Sequence, residues 1–160
     1  MASEAQDRKT RVADLANTSF VSMPVAGSVS YGGHASVVYV QIGTEVALLG
    51  QATVTANFTN QMISGQIDQV FGGTGLSDLQ NYDGILAFDG HIGVRRPNSF
   101  DAVIAGTLAG GGQTITVDGP LAGDFRGMGA QAVSAITNAQ MLATVNGIEV
   151  PLRVRVTAEQ

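Results

Sequence analysis

Few side chains in this sequence could do chemistry, and they are scattered. His34 and His91 are the candidate haem or metal ligands. Each stands in a run whose alternation turns it away from the apolar row, the setting of an exposed structural histidine, and neither has a second His or a Cys at ligand spacing. A haem route would need one of them at a strand end with loop residues closing over it. Cysteine is absent, which removes disulfides, thiolate metal sites and thiol nucleophiles from this sequence. Asp78, Asp83, Asp89, Asp101, Asp118 and Asp124 mostly precede Gly or sit at strand ends, as turn residues do. No D-x-D-x-D-G run marks a calcium loop, and Gly72-Gly73-Thr74-Gly75 lacks the Lys of a phosphate loop. With no cluster of reactive groups, the expectation is a protein that is not an enzyme and has no catalytic residue, metal or cofactor, haem being the one cofactor the histidines leave open.

Binding is better served. The stretch from Val70 to Tyr82, VFGGTGLSDLQNY, is the longest without a strand pattern and offers apolar Phe71, Leu76 and Leu79. Long loops on rigid scaffolds often carry binding; a packed loop with one helical turn at Leu76 to Gln80 is the alternative. Arg95-Arg96-Pro97 makes a basic, rigid loop that could steer an anionic ligand, or a solvated hairpin connection. The candidate ligand-binding residues are therefore Phe71, Leu76, Leu79, Tyr82, Arg95 and Arg96. Tyr31 and Tyr39 fall on the apolar parity and are expected to be buried.

Positioning these residues is the work of strands. In Gln51 to Phe58, Ala52, Val54, Ala56 and Phe58 share one side and Gln51, Thr53, Thr55 and Asn57 the other, a period of two. Val29 to Tyr39, Leu86 to Val94, Phe100 to Leu108 and Leu152 to Val156 alternate in the same way. Turn signals separate the runs: Gly32-Gly33, Asp83-Gly84, Asp89-Gly90, Gly110-Gly111-Gly112, Asp118-Gly119-Pro120 and Asn146-Gly147. Asp89-Gly90 interrupts a continuous pattern and could be a bulge. From Gly119 to Ile136 a strand pattern runs into the helix-favouring AQAV, which predicts a short helical turn near residues 128–134. The result is an all-β, antiparallel, eight-stranded up-and-down barrel, which removes its own edges and leaves a narrow, side-chain-filled interior; a β-sandwich is the alternative. Residues 1–20 are charged at first, could form a short helix around Val12, Leu15 and Ala16, and are expected to be a frayed tail or tether. Residues 21–160 are expected to form the barrel domain.

Charged residues are 13% of the 160-residue chain, about half the usual share. Between Asp14 and Asp68 the only formal charge is Glu45, so Ser, Thr, Gln and Asn must cover the wetted face. The net charge of −5 weighs against nucleic acid or an anionic membrane as partner. No apolar run is long enough for a membrane-spanning helix, and the N-terminus lacks the apolar core of a signal peptide.

Three stretches resemble the transferrin-binding protein B-like β-barrel family. Met23 to Gly33, MPVAGSVSYGG, is similar to its opening strand. Ala52 to Ile67, ATVTANFTNQMISGQI, resembles its next signature, an alternating strand ending in Phe, then Asn, then Ser-Gly. Gly119 to Ile136 resembles its last, a Gly-x-Phe-x-Gly strand leading into a helical turn. The resemblance implies an eight-stranded barrel in an extracytoplasmic protein, at the bacterial outer-membrane surface or secreted, often lipid-anchored. It implies binding of a host or partner protein, or of a small solute such as haem, through the loops. Any lipid anchor would belong to a precursor, and the resemblance favours a mature chain over a cytoplasmic one. Arg126 and Ser134-Ala135 depart from the family pattern, and a single barrel without a handle domain points to a small solute-binding or accessory protein. A lipocalin-like carrier of an apolar molecule inside the barrel and a structural assembly module are the other readings.

Overall fold

The inward half of each alternating run is apolar and the outward half largely polar, so the runs must turn one face away from water, and wrapping that face around an axis does so without leaving an edge. A computed structural model describes residues 1–138 and 141–160 and shows that arrangement. Its order is α1 (Ala2–Asp14), a 3-10 turn (Phe20–Ser22), β1 (Ser28–Gln41), β2 (Thr44–Asn57), β3 (Met62–Gly73), β4 (Gln80–Ile92), β5 (Ser99–Gly110), β6 (Gln113–Arg126), β7 (Ala132–Thr137), β8 (Leu142–Val145) and β9 (Ile148–Glu159). Each strand from β1 to β6 pairs antiparallel with the next, and β9 pairs back onto β1 from Gly32↔Glu159 to Tyr39↔Leu152. β7 and β8 both lie between β6 and β9 and share one lane, so the nine segments make a closed eight-stranded barrel. Pro120, which has no N–H to donate, falls in the span of β6 that neither β7 nor β8 pairs.

Several turn signals lie inside strands. Gly32-Gly33, Asp83-Gly84, Asp89-Gly90 and Asp118-Gly119-Pro120 all pair in continuous ladders, and Asp89-Gly90 is not a bulge. At Gly90 the neighbouring β5 backbone comes so near that a Cβ would lie 2.0 Å from the Asp101 carbonyl. The glycine is there for a close approach of strands, not for a turn. A bulge occurs instead in β3, where the pairing with β2 slips between Gln51↔Asp68 and Leu49↔Phe71, so that Gln69 and Val70 oppose Gly50 alone, and Gln69 has φ 48°. That extra residue moves the inward row from Ile63 and Ile67 to Val70 and turns Phe71 outward. The expected loop 70–82 is thus mostly strand, and its true connection is only 74–79.

The short helical turn near residues 128–134 is absent. Gly127, Gly129 and Ala130 have φ of 76°, 64° and 60°, which a right-handed helix does not admit. They form a turn, and Ala132–Thr137 is strand β7. The helix is at the other end of the sequence: α1 lies on the outside of the barrel across β1, β9 and β7, with Val12 buried. Arg8 Nε and Arg11 both bond Glu159 Oε1, at 3.1 and 2.8 Å. The segment that follows straps the lower end of the barrel. Thr18 N–H donates to the Phe125 carbonyl (2.9 Å), Gly127 N–H to Ala16 (2.9 Å), and Asn98 Nδ2 to Thr18 (2.8 Å).

Above this strap the interior is filled by rings. Phe125 packs against Phe58, Phe100 and Tyr31 at centroid separations of 5.4, 5.6 and 6.4 Å. Phe100 has room only because Gly123 lacks a side chain, since a Cβ there would lie 2.2 Å from its ring. Gly123→Ala is therefore expected to destabilise the protein by about 1–3 kcal/mol through overpacking. Urea unfolding should show a lower midpoint at unchanged m, and adding Phe100→Leu should restore part of the loss.

His34 sits outward on β1, as its parity requires, yet it is buried because α1 covers it. Its Nδ1 accepts a hydrogen bond from Arg8 (2.7 Å), so the ring is neutral. Burial first, then the Arg8 charge, lowers its pKa below the ordinary value, with Glu4 opposing and the N-terminal ammonium adding slightly. Because folding weakens its hold on a proton, acid favours the unfolded chain. The His34 contribution to stability should be complete above about pH 6.5 and decline as pH falls through that unfolded value toward the depressed folded one. Melting curves of wild type and His34→Gln between pH 8 and 5 should diverge in the acid range, the variant losing less.

Candidate functional site

The two ends of the barrel differ. The lower end, with connections 58–61, 93–98 and 127–131, is sealed by the aromatic cluster and the strap. The upper end gathers the β1–β2 hairpin at Ile42-Gly43, the connection 74–79 and the β5–β6 hairpin at Gly111-Gly112, around an open mouth of about 410 Å³. Tyr39 of β1 and Tyr82 of β4 are the last inward aromatics before these connections and form its floor, beside Val46. Gln41, Thr44, Thr74, Gln80 and Gln113 supply a polar rim.

The Tyr39 hydroxyl is buried and has no hydrogen-bond partner among the described residues. Burial, and then the neighbouring Tyr82, push its pKa up to about 12. Burial also raises Tyr82, partly offset by Tyr39 and reinforced by Asp78. The two phenols lie close enough to affect each other's ionisation, and both stay protonated at neutral pH. Asp78 caps the turn, accepting from Thr74 N–H (3.0 Å), Gly75 N–H (2.7 Å) and the Thr74 hydroxyl. These bonds, the hydroxyl's foremost, keep its pKa below the usual carboxylate range. Two neutral phenols and one carboxylate occupied in a turn are the titratable side chains that line the mouth.

Strain marks the same place. Ile42, at the hairpin tip, has φ 50° and is 98% exposed. A β-branched residue in the left-handed region is a backbone outlier, and a fully exposed isoleucine gains nothing from burial to offset it. Outliers of this kind cluster at ligand clamps and switch regions.

The structure brings together only some of the residues named from the sequence. Tyr82 is in the mouth. Leu76 (93% exposed) and Leu79 stand on the outer side of connection 74–79, and Phe71 is half-buried on the outer face of β3. Arg95 and Arg96 belong to the opposite end of the barrel and are engaged there, Arg95 with Asp101 and Arg96 with Asp124, each at 2.8 Å. His91 is exposed near the lower end of β4, and His34 lies mid-wall beneath α1. Ile42 is a site residue that the sequence reading does not single out, and Tyr39 is one that it names only as buried. The available signals are a tyrosine at the last inward position before a hairpin and an isoleucine where Asn or Gly is usual.

No family model matches the sequence, and no curated protein matches it. Solved structures with a similar fold do exist. A Trp-176-Ala mutant of the vaccine antigen transferrin-binding protein B from Haemophilus parasuis Hp5 superposes with a TM-score of 0.58 at 15% identity, covering 90% of this chain and 29% of that one. The Tyr-167-Ala and Trp-176-Ala double mutant gives 0.57 at 16% identity, covering 90% and 28%. Intact Ap-TbpB, with its N and C lobes, gives 0.57 at 14% identity, covering 90% and 28%. The chain thus spans somewhat over a quarter of each of these proteins, and across that span it has the barrel fold of transferrin-binding protein B.

Proposed function

We propose that this chain is a non-catalytic binding barrel of the transferrin-binding protein B type. It receives at its mouth a small uncharged solute that brings a hydrogen-bond acceptor beside an apolar edge. The buried, unpartnered Tyr39 hydroxyl carries this reading. A buried donor without an acceptor costs roughly 1–3 kcal/mol, and a solute oxygen reaching the floor of the mouth would recover that loss. The interior below is occupied by Tyr31, Phe58, Phe100 and Phe125, which disfavours a lipocalin-like ligand held deep in the barrel. Haem fits less well than a smaller solute, because neither His34 nor His91 lines the mouth.

A partner protein is the second reading, supported by exposed apolar residues outside the polar rim. Ile42, Leu76 and Leu79 are exposed around one opening, and the structural neighbours are named for transferrin binding. Either ligand suits an extracytoplasmic role at the bacterial surface or in secretion. The polar outward rows disfavour a barrel lodged in lipid, which would present an apolar band. No described helix is long and apolar enough to cross a membrane.

Saturation-transfer NMR with a panel of small amides, ketones and esters should give hits on the wild type. Tyr39→Phe should weaken them about tenfold, while Arg95→Gln leaves them unchanged; hits indifferent to Tyr39→Phe would refute the solute reading. Ile42→Gly should raise stability by roughly 1 kcal/mol by relieving the left-handed isoleucine and should weaken binding at the mouth. Urea denaturation and the same NMR titration would measure the two effects.

A further inference from the structure

The sequence holds 8 Lys and Arg residues, and in the structure the side chains of most have a partner. Arg8 and Arg11 pair with Glu159, Arg95 with Asp101 and Arg96 with Asp124, while Arg126 donates to the Leu15 carbonyl. The remaining cations, Lys9, Arg153 and Arg155, have neither an ion pair nor a hydrogen bond among the described residues. All of them line one groove of about 440 Å³ along the wall of the barrel, which meets the mouth only at Tyr39. In a protein with 13 acidic residues, ion-pair partners are plentiful. Holding the unpaired cations side by side carries mutual repulsion that a bound anion would relieve.

The groove also has a direction. Arg153 and Arg155 stand two residues apart on β9, next to Val38 and Ser36 of β1, and Lys9 overhangs them from α1. Further along, Val40 and Pro151 give an apolar floor, and Glu45 closes that end. Positions i and i+2 of a strand are separated by ~6.7 Å. An extended peptide lying along β9 repeats at the same interval, so alternate carboxylates would meet the two guanidiniums in register, with the forked geometry arginine favours. A free inorganic anion would use the charge but leave the apolar floor idle.

We infer that this wall groove binds an extended acidic segment of a partner protein, with carboxylates at alternate positions followed by apolar residues at alternate positions. The site is separate from the mouth.

Isothermal titration calorimetry with a blocked octapeptide tests it. The probe carries glutamates at alternate positions of its first half, valines at alternate positions of its second, and serine elsewhere. Wild type should bind it, less tightly as salt rises. Arg153→Gln with Arg155→Gln should weaken binding about tenfold or more, and Lys9→Gln should weaken it less. Tyr82→Phe should leave it unchanged, since Tyr82 lines the mouth and not the groove, which separates the two sites. Melting curves confirm that each variant is folded. The inference is overturned if wild type does not bind the probe, or if the double arginine variant binds as wild type does. Equal binding of a lysine-for-glutamate peptide, or of decanoate, would overturn it too, the latter reassigning the groove to a simple amphiphile.

Discussion

The ladder between the first and last strands is the constraint on which the rest of the molecule depends. Once β9 pairs with β1 from Gly32↔Glu159 to Tyr39↔Leu152, the sheet has no free edge and its circumference is fixed. The interior then has a set volume, which side chains must fill without excess. Large rings and small residues are therefore apportioned around the axis, as where Gly123 leaves space for Phe100. Closure also frees the outer surface from any duty in the core. That is why a wall of Thr, Ser and Gln with few charges can remain wet, and why an outer groove can keep unpaired cations.

Within this closed wall, polarity is divided along the axis. At the lower end the backbone near the aromatic cluster is tied, through Thr18, Asn98 and Gly127, to the strap that follows α1. At the upper end hydroxyls come to the surface of the core and one of them lacks a partner. Both ends are built from the same alternating strands. What distinguishes them is whether the polar tips of the inward tyrosines have a partner, as the Tyr31 hydroxyl has in the Ala130 carbonyl, and whether a segment from outside the sheet crosses the opening.

Much of the barrel is legible in the sequence because inward and outward residues alternate strictly in β1, β2, β4, β5 and β9, and only a strand with one buried face repeats every two residues. Legibility fails where a residue's neighbours come from elsewhere in the chain. The bulge at Gln69 reverses the parity within β3, so the stretch after it reads as loop. The turn after Arg126 reads as helical because local propensity favours it, whereas Ala130 is held by the Tyr31 hydroxyl and Gln160, both distant in sequence. Parity places His34 on the outer face, but no local pattern announces that α1 covers it. The candidate site shows the same division. Tyr82 and the connection beside it stand out in the sequence, and Arg95 and Arg96 seem to belong with them, although an up-and-down topology sends consecutive connections to opposite ends. Parity marks Tyr39 as buried, which it is, and conceals that it lies beneath the mouth.

The closing ladder has a mechanical consequence. β1 begins and β9 ends at the same, lower end of the barrel, and the two run antiparallel. Tension applied through both would load their hydrogen bonds one after another from that end, a peeling geometry that resists far less force than sliding the strands past each other. The grip of Arg8 and Arg11 on Glu159 lies across the point where peeling would start. Under load α1 must therefore detach before the first rung of the barrel opens, and the mouth, at the far end, is the last part to feel the pull.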